Sequence, residues 1–134
     1  MLSAVLLAIS ITALAQFAMH YWRAVMLGVA AQPVSDRVLA AAGLASDTVA
    51  GSDFDTLAGL HSLTPTLRSG DKGLGPIRVY YRLIGFLEQL ADSRMPAIAA
   101  WSRREMAVCA RYAAVQIDRR LQENLAYAAS IRSC

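Results

Sequence analysis

No aspartate, glutamate, lysine or arginine occurs between Leu2 and Trp22. That run, LSAVLLAISITALAQFAMHYW, constrains the fold more than any other stretch. About twenty apolar residues in a helix cross a hydrocarbon layer of ~30 Å. Within lipid a single segment can satisfy its own backbone polar groups only as a helix. A helix is therefore predicted here, running on through Val25–Ala31 towards Pro33, whose ring disfavours a helical residue before it. The polar members Ser3, Ser10 and Thr12 can bond to their own helix backbone. Gln16 cannot do so easily and is expected to face another helix.

The run ends in His20, Tyr21, Trp22 and Arg23. Aromatic rings with a polar edge settle at headgroup level, and arginine extends its head towards phosphate. These four residues are predicted to mark the membrane interface. Two other readings fit the same stretch. Ala13-Leu14-Ala15 resembles a signal-peptidase site, which would make residues 1–15 a cleaved signal, although no basic residue precedes the apolar run. A core helix of a soluble protein is the other.

Composition agrees with a chain that shares apolar surface with lipid or with another protein. Hydrophobic residues make up 56% and charged residues 17%, against ~45–50% and ~25% in soluble domains. A chain of 134 residues has a high surface-to-volume ratio and needs polar cover if it is to stand alone in water. The formal charge of +3 is uneven, with −1 over residues 1–70 and +4 over residues 71–134. Basic residues favour the cytoplasmic side of a span. Arg23 and Arg37 follow the apolar run, so the body is expected in the cytoplasm. The alanine- and arginine-rich style suggests a bacterial inner membrane protein with a single span.

After residues 1–32, a small helical domain is expected over residues 33–134. Ser35 is placed to cap a first short helix and Gly43 to close it. Ser46-Asp47-Thr48 and Gly51-Ser52-Asp53 are turn material, and Ser52 or Asp53 can cap a second short helix with Phe54, Leu57, Leu60 and Leu63. The two short helices fall within residues 35–63. Residues 64–75 are rich in Gly and Pro and read as a loop. Pro76 opens a helix over 76–94 with two apolar faces. Ile77, Tyr81, Ile84, Leu87 and Ala91 form one, and Val79, Leu83, Phe86 and Leu90 the other, so neighbours are expected on two sides. Pro96 opens a long helix over 96–131. The expected fold is all-α, with a transmembrane helix and a long antiparallel helix pair.

Met106, Ala110, Ala113, Ile117, Leu121 and Leu125 recur at spacings of three and four along the last helix. This seam of small and apolar residues is the candidate partner-binding surface, with Gln16 as its counterpart in the membrane. Ile98, Trp101, Val108, Tyr112 and Val115 form a second seam, and Arg104, Arg111 and Asp118 a polar face.

Chemistry is sparse. His20 and His61 are the only histidines, and the cysteines, Cys109 and Cys134, have no ligand spacing. On one straight helix these two sulfurs stand ~37 Å apart, too far to bridge. Lys72, in Gly70–Pro76 ahead of a helix, is a candidate anion contact, but the Gly-Lys-Ser/Thr ending of a phosphate loop is absent. Tyr80 and Tyr81 between Arg78 and Arg82 resemble a stacking patch, but no nucleic-acid motif accompanies them, and no nucleic-acid partner is expected. No nucleophile motif or paired carboxylate site appears, so neither catalysis nor a cofactor is expected. The expected function is that of a membrane-anchored accessory or scaffolding subunit acting through helix–helix contacts with other membrane proteins. The alternatives are a homo-oligomeric membrane protein using the same seam, and a soluble or secreted helical ligand-binding protein lined by Tyr80, Tyr81, Trp101 and Tyr112.

Overall fold

A computed structural model describes residues 1–44, 49–66 and 73–133. Its order is α1 (Leu2–Ala30), α2 (Asp36–Ala41), a 3-10 turn (Gly51–Asp53), α3 (Phe54–Leu63), α4 (Gly75–Ala91) and α5 (Pro96–Arg132). No strand occurs among the described residues. The all-α expectation holds, and α1 is long and apolar enough to cross a membrane.

α5 is the common partner. Among the described residues α1, α2, the 3-10 turn, α3 and α4 each pack on it, and the 3-10 turn also touches the α3 that follows it. The alanines of α5 make this possible. Ala110, Ala113 and Ala114 are fully buried beside Cys109 and Ile117, so neighbouring helices approach closely from several sides. Against them sit Met26 of α1, Val38 of α2, Phe54, Leu57 and Ala58 of α3, and Ile77 of α4. The ring of Phe54 stacks on Tyr81 at 4.2 Å between centroids. Burying such side chains contributes roughly 1.5–3 kcal/mol for each large one.

The helix ends follow local chemistry. Gly43 adopts φ +69, and the Leu44 and Gly43 N–H groups bond to the carbonyls of Leu39 and Ala40. This is the Schellman closure that a glycine after a helix permits. Ser35 occupies the N-cap position of α2, as expected, but its hydroxyl makes no cap bond there and donates instead to the Asp118 carboxylate on α5. At the 3-10 turn the Ala50 N–H donates to Asp53 Oδ2 at 2.9 Å. Gly51 lies so close to α5 that a Cβ would stand 2.7 Å from the Met106 Cβ. α4 ends at Ala91, three residues before the predicted end. Met95 is non-helical (φ −141, ψ 80), in keeping with the helical region being disfavoured before a proline, so residues 92–95 leave the helix and α5 starts at Pro96.

Two faces differ from expectation. α4 has cover on one side only: Ile77, Ile84 and Ala91 are buried, while Val79, Leu83, Phe86 and Leu90 are about 60% exposed. The Arg104–Arg111–Asp118 line is not a uniform solvent face either. Asp118 is buried and accepts bonds from Ser35 and Gln122.

Candidate functional site

α1 divides into two parts by cover. From Leu2 to Val25 every residue is exposed, and only Met26, Val29 and Ala30 turn into the body. The large side chains Leu6, Leu7, Ile9, Ile11, Leu14 and Phe17 stand open, each 58–70% exposed. The last turns of α1, placed in the anchor by sequence, therefore form part of the body's core.

Where the covered part begins, a polar cluster fixes α1 to the body. Glu105 on α5 is buried, with its side chain 3% exposed, and one of its oxygens accepts both Nε (2.9 Å) and Nη2 (2.6 Å) of Arg23. The other accepts the Tyr80 hydroxyl at 3.1 Å. A buried carboxylate requires such partners, because desolvation otherwise disfavours its charge. Burial, then the charge of Glu105 and the bond to it, pushes the Tyr80 hydroxyl up to about 12. One turn further along α5, burial and Glu105 push the Cys109 thiol up to about 12.

Arg23 thus has a partner within its own chain, where the sequence predicted headgroup phosphate. Its side chain is still 44% exposed. His20, Tyr21 and Trp22 precede it on the exposed part of the helix. Above the cluster lies an open groove of about 580 Å³ between α1 and the body. Thr12, Gln16, Met19, His20 and Arg23 line one wall, and Tyr80 and Trp101 the other. Gln16 therefore faces a groove rather than a packed helix.

The predicted partner seam on α5 is split. Ala110, Ala113 and Ile117 are buried in the chain's own core, and Leu121 packs against that core. Met106 is half-buried. Ala110, Ala113 and Ile117 are thus taken up by the chain's own core, while Met106 and Leu121 keep part of their surface open. Beyond them Leu125, Tyr127 and Ile131 remain exposed. The four aromatics grouped by sequence do not line one pocket. Tyr80 and Trp101 share the groove, Tyr81 stacks on Phe54 and donates to the Gly51 carbonyl, and Tyr112 packs against the core. Arg78 is directed to the Ala58 carbonyl. Lys72, Cys134 and the Ser46–Thr48 turn lie outside the described residues. Among the described residues no three His, Cys, Asp or Glu side chains are grouped to hold a metal ion.

Sequence reasoning missed Glu105. The signal was present: Ser102, Glu105 and Cys109 follow at spacings of three and four, which puts an acid on the buried face. No family model matches the chain, and comparison with curated proteins and with solved structures finds no match.

Proposed function

We propose that this protein is a non-catalytic, membrane-anchored accessory or scaffolding subunit that acts through helix–helix contacts. The observation that carries the reading is α1: an apolar helix, uncharged from Leu2 to Trp22, whose side chains stay exposed along its first 24 helical residues, Leu2–Val25. Exposed apolar surface of this extent requires lipid or protein around it. In this reading Leu2–Trp22 crosses the bilayer of a bacterial inner membrane, with the body on the cytoplasmic side. Gln16 and Thr12 offer hydrogen bonds to a neighbouring span. α4 and α5 act as an antiparallel pair that holds the body, and the free end of α5, Leu125 to Ile131, meets a partner subunit.

Membrane fractionation tests this, followed by extraction in mild detergent and mass determination of the intact particle. The expected result is a membrane-bound chain in a particle much heavier than 14.4 kDa that contains other proteins. A particle holding only copies of this chain would replace the accessory role with self-association. A chain released without detergent would overturn the anchor and favour the soluble ligand-binding alternative.

A further inference from the structure

The groove has a geometric consequence for the body, and it rests on the reading of Leu2–Trp22 as a span. Trp101 stands across the groove from residues between Thr12 and Arg23. Most of those residues belong to the uncharged run. Filling a ~30 Å hydrocarbon layer at 1.5 Å per residue takes about twenty residues, essentially the whole run, so Thr12 to Met19 cannot all lie outside the bilayer. Whatever faces them across the groove shares their depth. Pro96 lies five residues before Trp101 on α5, and the turn of residues 92–95 lies before that.

We infer that the α4–α5 end of the body is sunk into the leaflet that α1 leaves, with the bare face of α4 in contact with lipid. The surface there matches that occupant. Leu83, Phe86 and Leu90 are each about 60% exposed, Met95 is 55% exposed and Leu87 is 41% exposed. They form a stripe that no other helix covers among the described residues.

Arg82, Arg94 and Arg104 are exposed. The acids near the turn, Glu88 and Asp92, are both bonded to Arg103 at 2.9 Å. Arg82 and Arg104 neighbour Tyr80 and Glu105, at the level where Arg23 ends the uncharged run, and complement anionic phospholipid headgroups there. Long arginine side chains reach the headgroups from a backbone placed below them.

Site-directed fluorescence on the full chain tests the inference. Single cysteines replace Ile9, Phe86, Leu90 or Arg119 in a Cys134→Ser background, and each is labelled with an environment-sensitive dye. The sites are exposed, so folding should survive the changes. Each protein is placed in phosphatidylcholine vesicles containing phosphatidylglycerol and challenged with nitroxide-bearing lipid or aqueous iodide. The expected result is that labels at 9, 86 and 90 are quenched by the lipid probe and shielded several-fold from iodide, while the label at 119 behaves in the opposite way. Iodide access at 86 and 90 with 9 still lipid-quenched would overturn the inference and leave the anchor standing. Shielding at 86 and 90 from both quenchers would mean that protein covers α4, which also overturns it. Iodide access at 9 would remove the anchor itself, and the inference with it.

Discussion

Arg23 and Glu105 are not equivalent partners, and the difference is measurable. Removing Arg23 leaves a buried carboxylate with only the Tyr80 hydroxyl. Arg23→Ala should cost about 3 kcal/mol, the scale for stranding a buried charge. Glu105→Gln keeps the shape and one acceptor, and Arg23 is half in solvent, so a loss of about 1–2 kcal/mol is expected. Thermal unfolding in mild detergent should rank the two variants in that order. The same pocket predicts a pH response. Tyr80 is raised from 10.0 to about 12, and Cys109 from 9.0 to about 12. Both favour the protonated form when folded, so their contribution is complete below about pH 9 and falls as pH rises towards 12. Tyr80→Phe should flatten part of that decline. Cys109 should also resist alkylation at pH 8 until the protein unfolds, since the thiolate is the reactive form. Of this cluster, Arg23 and Tyr80 stood out in the sequence, each for another role. The pairing of Arg23 depends on a residue 82 positions away, which local spacing cannot report.

At the scale of elements, the sequence carried more. Pro33, Pro96 and Gly43 mark boundaries through fixed backbone preferences, and those preferences act locally. The faces were less legible. Periodicity shows that α4 has two apolar sides, but it does not say which side meets protein. The buried set of Ile77, Ile84 and Ala91 differs from the bare set of Leu83, Phe86 and Leu90 only in what lies opposite. The alanine seam of α5 was ambiguous for a related reason: small residues suit any close helix contact, and here the chain's own helices take up Ala110 and Ala113. Gly51 shows how close. A Cβ there would meet the Met106 Cβ at 2.7 Å and the Ala107 nitrogen at 3.3 Å, atoms that a rotamer change cannot move. Gly51→Ala should therefore destabilise by about 1–3 kcal/mol. Gly59→Ala, at a helical position with open space around the Cβ, should be neutral or better. Denaturant midpoints of the two variants check both.

For the whole molecule, the exposed end of α5 separates stability from assembly. Leu125 and Ile131 are at least half exposed, so the pair Leu125→Ser and Ile131→Ser should change unfolding by only about 0.5 kcal/mol per site. If a partner docks there, the same changes should shrink the detergent-extracted particle. An unchanged particle would place the contact elsewhere, on the span or in its groove. The dependence of every element on α5 also fixes an order of events in the cell. α1 leaves the ribosome before α5, and the carboxylate that anchors Arg23 is 82 residues behind it. At ~5–20 residues per second the nascent chain carries that guanidinium without its partner for roughly 4 to 16 seconds. Met26 likewise has no core to enter until Cys109 and Ala110 arrive. Formation of α1 and folding of the body are thus separate steps in time, and a chain truncated before Glu105 yields an apolar helix with nothing to hold it to a body.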